Sequence, residues 1–165
     1  MKISIIIPVH NEEENIGYLI NSIIKNKTQN KEIIVVDDGS TDNTRNIIKK
    51  YGKLIKYFYI KKSGVSKARN VGIKNSTGSL IFFFDGDVIL KRNTLKKFIS
   101  FFNKNKNLNI LQGIWEKKYI KKTNYITKHL LLKLNFNFET KSKKEKKYFK
   151  FKGTKVTELL TGCLA

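Results

Sequence analysis

The chain has 165 residues, with 34 Lys or Arg against 13 Asp or Glu, so its formal net charge is +21. Apolar residues make up 40% of it, which argues against wholesale disorder, and the length predicts one domain. The single cysteine, Cys163, excludes an internal disulfide and a multi-cysteine zinc site. The longest apolar run, Leu80 to Phe84, is too short to span a bilayer. We therefore expect a folded, cytoplasmic protein.

The positive charge is concentrated in the second part of the chain. Residues 1–90 hold 14 basic and 9 acidic side chains, whereas residues 91–165 hold 20 and 4. Three explanations compete: attraction to nucleic acid or anionic lipid, attraction to a phosphorylated substrate, and a general lysine bias. A nucleic-acid-binding protein is thus an alternative, although the lysines form no recognised reader motif and the aromatic residues are not spaced as a stacking sheet.

Hydrophobic patterns predict alternating strands and helices from the start of the chain. Apolar runs without alternation indicate buried strands, and apolar residues spaced three and four apart indicate amphipathic helices. We predict strands at Ile3–Pro8, Glu32–Val36, Leu54–Ile60 and Leu80–Phe84, separated by helices at Ile16–Ile24, Asn43–Tyr51 and Val65–Asn75. This order predicts an α/β, Rossmann-like fold with a mainly parallel sheet and helices on both faces.

The pattern weakens after the fourth strand. We predict a helix from Thr94 to Asn103, a strand from Leu108 to Ile114, a basic amphipathic helix from Tyr125 to Phe138 and an exposed loop from Lys141 to Lys152. No Gly/Ser-rich linker marks a second domain.

Polar turns follow three of the predicted strands. They are Val9 to Asn11, Asp37 to Gly39 and Asp85 to Asp87. Because ligands of open parallel sheets bind beyond the carboxyl ends of the strands, we expect these turns to share one edge.

Asp85-Gly-Asp87 carries the strongest chemical signal. Two carboxylates two residues apart, with a glycine between them, can present oxygens to Mg²⁺ or Mn²⁺. A solvated turn is the alternative for the tripeptide alone. Its position directly after a buried strand favours the metal, since an unpaired carboxylate there would be costly.

Asp37 and Asp38 close a second strand at this edge. One carboxylate can accept from a base imide and the other from a ribose hydroxyl, while Gly39 permits a close backbone approach. An N-capping turn for the next helix is the alternative, and both roles are compatible.

Basic residues follow the third strand. Lys67 and Arg69 begin a helix after Gly64, and a diphosphate is their natural ligand. A structural ion pair between Arg69 and Asp37 or Asp85 is an equally good explanation. The chain has no Gly-rich dinucleotide fingerprint and no P-loop, which disfavours a dehydrogenase or a P-loop enzyme.

Four elements in this order resemble the nucleotide-binding half of family 2 glycosyltransferases with the GT-A fold. They are Ile6-Ile-Pro-Val-His-Asn11-Glu12, Val36-Asp-Asp-Gly-Ser-Thr-Asp42, Gly64-x-x-x-Ala68-Arg-Asn70 and Phe84-Asp-Gly-Asp87. The resemblance covers residues 1 to about 115 as a nucleotide-sugar-binding core. It implies that residues 116–165 begin a basic, incomplete acceptor-side region, in which Thr161-Gly-Cys163 resembles the family's small-residue element.

The resemblance implies the inverting transfer of a sugar from a UDP- or GDP-sugar to a saccharide or lipid-linked acceptor, with Mn²⁺ or Mg²⁺. It further implies that the nucleoside is bordered by Pro8, Val9 and Asn11. Asp38 would take the base imide, Arg69 the base or diphosphate, and Asp85 and Asp87 would meet the sugar, ribose and metal.

The chain departs from the family pattern at the catalytic base. The family's base lies in an acidic pair downstream of the small-residue element, and no such pair precedes Ala165. The later acids, Glu116, Glu139, Glu145 and Glu158, have neither the expected neighbour nor the expected position. We expect a base beyond Ala165 in a truncated chain; a catalytically inactive nucleotide-sugar-binding module and a site completed by another subunit are the alternatives.

The basic stretch from Lys117 to Lys155 suggests a peripheral contact with an anionic membrane, at its inner face, and a solvated loop is the alternative. Such a contact fits a lipid-linked acceptor.

Overall fold

A computed structural model describes residues 1–28, 30–105 and 111, together with the backbone of residues 114–119, 126–131 and 155–156. The strands are β1 (Ile3–Val9), β2 (Lys31–Asp38), β3 (Ile55–Ile60), β4 (Leu80–Phe83), β5 (Val88–Leu90), β6 (Ile114–Tyr119), β7 (Ile126–Leu131) and β8 (Lys155–Val156). The helices are α1 (Ile16–Lys25), α2 (Thr44–Lys49), α3 (Val65–Lys74) and α4 (Thr94–Lys104), and a 3₁₀ turn covers Gly52–Leu54.

The main sheet has the strand order β3-β2-β1-β4-β8, and all its pairings are parallel. Val9 lies opposite Asp37, which in turn lies opposite Tyr59, so β1, β2 and β3 end at the same level. Phe83 at the end of β4 pairs with Ile6. The loops that follow these four strands therefore share the carboxyl edge of the sheet, as the sequence predicts.

Helices cover both faces of this sheet, which confirms the predicted α/β architecture. On one face, Ile3, Ile5 and Ile7 of β1 belong to a core that includes buried residues of α1, α2 and α4. On the other face, Ile6 belongs to a smaller core that includes Ala68 of α3. Every β1 residue from Ile3 to Val9 is buried because neighbouring strands and helices surround it.

The second sheet differs from the sequence prediction. It has the order β5-β7-β6, with β5 and β7 parallel and β6 and β7 antiparallel. The helix predicted over Tyr125–Phe138 is wrong at Ile126–Leu131, which form β7, and the three-residue β5 was not predicted. Of the strand predicted over Leu108–Ile114, only Ile114 lies in a described strand. The loop predicted over Lys141–Lys152 lies outside the described residues.

In the part of the chain that the structure describes, every helix is too short or too polar to cross a bilayer.

Candidate functional site

The loops after β1 and β2 are hydrogen-bonded to each other at the carboxyl edge. The Asn11 backbone N–H donates to Ser40 Oγ at 3.0 Å, and Asn11 Oδ1 accepts from the Thr41 N–H at 2.8 Å. Asn11 reaches this position with a φ of 54°, in the left-handed region that asparagine tolerates. The Glu12 N–H donates to Thr44 Oγ1 at 2.8 Å, which links the first loop to α2. The two loops therefore form one hydrogen-bonded unit.

Asp37 is fully buried beneath these loops. Its Oδ1 accepts from the Ser40 N–H at 2.8 Å, and its Oδ2 accepts from the Tyr57 hydroxyl at 2.6 Å. Burial, followed by this hydrogen bond and the negative charge of Asp37, raises the pKa of Tyr57, so the hydroxyl remains a donor. Asp37 thus joins β2 to β3 and fixes the turn after β2.

Asp38 holds the next loop along the edge. Its Oδ1 accepts from the Ser63 N–H at 2.6 Å, and its Oδ2 accepts from the Gly64 N–H at 2.8 Å. The adjacent Gly39 has a φ of 72°, and a Cβ there would lie 2.8 Å from the Lys62 backbone nitrogen. Glycine is required at this position because the two loops approach so closely. Asp38 therefore anchors the residues from which α3 begins.

Arg69, in the second turn of α3, lies against the turn after β4. Its Nη2 donates to Asp85 Oδ1 at 3.1 Å, and both side chains are partly exposed. This is one of the two ion pairs that the sequence allowed for Arg69. Its Nε is buried and has no hydrogen-bond partner among the described atoms. The pair leaves donor capacity on the guanidinium at the point where the loops converge.

Glu12 adds a third carboxylate to the Asp85–Asp87 turn. A Cβ on Gly86 would lie 2.7 Å from Glu12 Cγ, so the Glu12 side chain lies directly over this turn. Burial and the charges of Asp87 and Asp85 raise the pKa of Glu12 and outweigh its hydrogen bond from Asn15. The turn is therefore a region of negative potential, which suits a cation. The sequence placed Glu12 in a motif but gave no signal that it would meet Asp85 and Asp87.

The remaining predicted site residues differ in their exposure to solvent. Pro8 and Val9 are buried in β1, so a ligand could meet them chiefly through their backbone. Asn11 and Lys67 are exposed, and Asp87 is half-buried. Thr161-Gly-Cys163 and the four later acids lie outside the residues whose side chains are described.

The edge thus combines features that a phosphorylated ligand requires. A guanidinium, two carboxylates two residues apart and a hydrogen-bonded pair of loops lie along this edge of the sheet. Among the residues described, no three His, Cys, Asp or Glu side chains are grouped closely enough to hold a metal by themselves. Two carboxylates nevertheless suffice for Mg²⁺ when substrate phosphates complete its shell.

Comparisons with known proteins point to one family. The profile described as Glycosyl transferase family 2 matches residues 4–163. A Rickettsia bellii protein named as an uncharacterized glycosyltransferase is 40% identical over 106 residues, 63% of this chain and 15% of that protein. The Staphylococcus aureus poly(ribitol-phosphate) beta-N-acetylglucosaminyltransferase TarS is 39% identical over 108 residues, 61% of this chain and 19% of TarS. The chain thus spans less than a fifth of either relative.

Solved structures agree with these sequence matches. S. aureus TarS 1–349 in complex with UDP-GlcNAc has a TM-score of 0.60 and 35% identity, over 64% of this chain and 32% of that chain. Mannosyltransferase PcManGT from Pyrobaculum calidifontis, in complex with GDP-Man and Mn²⁺, has a TM-score of 0.58 over 61% of this chain and 32% of that chain. Its identity is 23%, so this second likeness concerns the fold alone.

Proposed function

Because the chain belongs to glycosyl transferase family 2, we propose that it binds a nucleoside diphosphate sugar at the carboxyl edge of its main sheet. The sugar is then transferred, with inversion, to a saccharide or lipid-linked acceptor. The observation that carries the proposal is the contact between Arg69 Nη2 and Asp85 Oδ1, which lie 3.1 Å apart. This pair lies beside Asp87 and the loop that Asp38 anchors.

The donor lies along the loops after β1, β2 and β3 in this proposal. Asn11 and the backbone of Pro8 and Val9 border the nucleoside. Each oxygen of Asp38 already accepts one backbone hydrogen bond, and a carboxylate oxygen can accept a second, which leaves capacity for a base imide. The TarS complexes with UDP and UDP-GlcNAc, at 35% identity, favour a UDP-sugar, and a GDP-sugar is the alternative.

Asp37 has less capacity for direct contact with the donor. It is fully buried, whereas Asp38 is 6% exposed, so the two differ in access and not in the number of hydrogen bonds that their oxygens already accept. Its part in donor binding is best explained as positioning, because it fixes the turn in which Asp38 lies.

The diphosphate lies between Arg69, Lys67 and the Asp85–Asp87 turn. Asp87 and Asp85 would hold Mg²⁺ or Mn²⁺, a role that fits their carboxylate chemistry and their position two residues apart just after the end of β4. When bound, the cation would neutralise charge that develops on the leaving nucleoside diphosphate. Arg69 supplies a second positive charge to the same group and is held in place by Asp85.

In this proposal residues 1–115 form the donor-binding core and residues 116–165 form a separate region that binds the acceptor. An inverting displacement also needs a general base within hydrogen-bond reach of the acceptor hydroxyl, and no residue is assigned to that role. A cytoplasmic location and a peripheral contact with an anionic membrane complete the proposal.

Calorimetric titration of the chain with UDP and GDP tests this function. Each nucleotide is added with MnCl₂, with MgCl₂ or with a chelator. We expect metal-dependent binding that favours UDP, and Asp87→Asn should weaken it about tenfold or more because one metal ligand loses its charge. Glu14→Gln is the matched control, since Glu14 is an exposed carboxylate outside the loop contacts.

Two outcomes would contradict the proposal: the absence of nucleotide binding by the folded chain, and equal affinities for wild type and Asp87→Asn. Salt-sensitive binding of an RNA oligonucleotide without any nucleotide binding would favour the nucleic-acid alternative. Nucleotide binding without transfer to any acceptor is expected of this chain if its base lies beyond Ala165, and equally of an inactive nucleotide-sugar-binding module.

A further inference from the structure

A basic groove lies between α1 and α4, away from the loops just described. It consists of two cavities, of about 1000 Å³ and about 760 Å³, that share Lys27 and Lys96 in their walls. The larger cavity includes Met1, which precedes β1, and Lys31, the first residue of β2. The groove therefore begins at the amino edge of the sheet, opposite the candidate donor site.

The groove carries a large surplus of positive charge. Its cationic side chains are Lys25, Lys27, Lys31, Arg92, Lys96 and Lys104, and no carboxylate is among the described residues that line it. The carboxyl ends of α1 and α4 also lie here, and each contributes only about half a negative charge.

One of these lysines is already used by the fold. Lys31 Nζ donates to the carbonyls of Ile23 and Asn26 at 2.7 and 2.8 Å, and so satisfies the end of α1. Five cations then remain against about half a unit of negative charge from the end of α4. The groove therefore carries more positive charge than is needed to neutralise the carboxyl ends of the two helices.

Apolar side chains accompany these cations. Met1 is 57% exposed in the larger cavity and Tyr18 is 61% exposed in the smaller one, with the half-buried Ile24 and Ile99 in the larger cavity. The Thr28 hydroxyl in the larger cavity is buried and has no hydrogen-bond partner among the described atoms. Exposed aromatic and apolar groups beside lysines suit the boundary between lipid headgroups and acyl chains.

We propose that the basic groove docks the protein on a bilayer rich in anionic phospholipid, with headgroup phosphates on its lysines and with Met1 and Tyr18 at the headgroup level. This inference rests on the proposed membrane contact and assigns it to described residues, in addition to Lys117–Lys155. Nucleic acid fits the groove less well, because Tyr18 is the one aromatic residue in its described lining and offers no row of stacking surfaces.

The position of the groove predicts that lipid and nucleotide bind independently. β1 spans seven residues between the two edges of the sheet, which corresponds to roughly 23 Å at 3.3 Å per residue. A bilayer in contact with Met1 therefore leaves the loops after β1, β2 and β4 open to solvent.

Vesicle flotation of the full chain tests the groove. The probes are vesicles of phosphatidylcholine alone and of phosphatidylcholine with one-third phosphatidylglycerol. The variant carries Lys27→Glu and Lys96→Glu, the two residues that both cavities share. The control carries Lys53→Glu and Lys74→Glu, two exposed lysines outside the groove that change the net charge by the same amount.

We expect binding to the anionic vesicles alone. Since each lysine near such a surface contributes about fivefold in affinity, the groove variant should bind about 25-fold more weakly or worse, and the control much less so. Circular dichroism and UDP titration establish that both variants are folded, and UDP affinity should be the same in both.

Equal losses of vesicle affinity in the two variants would contradict docking through the groove and would show that binding depends on net charge alone. No binding of wild type to anionic vesicles would overturn the membrane contact as well, while UDP binding would show that the proposed donor site stands. Preferential binding of an RNA oligonucleotide, lost in the groove variant, would assign the groove to nucleic acid instead.

Discussion

At the scale of single residues, Asp38 connects the two halves of the candidate site. It accepts from the backbone of Ser63 and Gly64, which precede α3, and α3 carries Arg69 to Asp85. A carboxylate that appears in the sequence as a ligand for the base is therefore also a structural anchor. The position of the guanidinium depends on it, although Asp38 and Arg69 are 31 residues apart.

Asp38→Ala should lower the free energy of unfolding by about 2 kcal/mol. Hydrogen bonds to a charged acceptor contribute about 1.5–3 kcal/mol each, and water recovers part of the loss because Ser63 and Gly64 are exposed. Urea denaturation measures the change, and UDP titration should show weaker binding as Arg69 loses its fixed position. Ser63→Ala, which keeps the backbone N–H, should stay within about 0.5 kcal/mol of wild type. An Asp38→Ala protein as stable as Ser63→Ala would show that the anchor contributes nothing.

Only part of this site is predictable from residue types. The spacing of Asp85 and Asp87 after an apolar run predicts a metal site, and parallel strands bring the loops to one edge. The partners of Asp37 and Asp38 are not predictable, because Tyr57, Ser63 and Gly64 come from other parts of the chain and carry no local signal. The choice of Asp85 rather than Asp37 as the partner of Arg69 likewise depends on tertiary structure.

At the scale of elements, α3 packs unusually close to β1. A Cβ on Gly72 would lie 2.3 Å from Cγ2 of Ile6, a fully buried residue of the central strand. This methyl group is attached directly to the Ile6 Cβ, so it can move away only if the stiff χ1 of this buried side chain rotates or the strand shifts. The glycine is needed here for its size, and the position of α3 over β1 depends on it.

Gly72→Ala should therefore destabilise the protein by about 1 kcal/mol. The overlap costs about 1–3 kcal/mol, and the better helix propensity of alanine offsets about 1 kcal/mol of it. Thermal and urea unfolding measure the net effect. Gly17→Ala in α1 is the matched control: its nearest neighbour lies 3.6 Å away, so it should be neutral or stabilising. A double-mutant cycle with Ile6→Ala should show a favourable coupling, and strict additivity would contradict the proposed overlap.

Elements differ in how well the sequence predicts them. β1, β2 and β4 are predictable because their apolar runs, Ile5–Val9, Ile33–Val36 and Leu80–Phe83, suit strands buried on both faces. β7 is mispredicted as a helix because the apolar residues from Ile126 to Leu131 fit both the helical and the strand spacing. The pairing of this segment with β5 and β6 makes it a strand. β5 has three residues, too few for any periodic signal.

At the scale of the whole molecule, Glu32 ties together the amino edge of the main sheet. Oε1 accepts from the Ser4 hydroxyl of β1 at 2.6 Å and from the Thr77 N–H at 2.7 Å, and Oε2 accepts from Lys56 of β3 at 2.7 Å. Burial alone would raise the pKa of Glu32, but the hydrogen bonds from Lys56, Ser4 and Thr77 outweigh it and lower the pKa to about 2. One carboxylate thus links β2, β1, β3 and the segment before β4.

The stability that Glu32 supplies should be lost in acid. Because its pKa is lower in the folded chain than the ordinary 4.5, the contribution is complete above about pH 4.5 and declines as the pH falls towards 2. The difference amounts to at most about 3 kcal/mol, and solvent around the half-exposed Lys56 reduces it. Urea denaturation from pH 7 to pH 2.5 should show a smaller acid loss in Glu32→Gln than in wild type. Parallel pH profiles for the two proteins would contradict this role.

The strand order has a further consequence for biosynthesis. β1 is made before the strands that pair with it but lies in the middle of the sheet, and Ile3 pairs with Leu80, 77 residues later. At translation rates of 5–20 residues per second, one edge of this mostly apolar strand waits roughly 4–15 s for its partner. During that interval the nascent polypeptide exposes an unpaired, hydrophobic template, so chaperone binding to β1 should matter most before β4 leaves the ribosome.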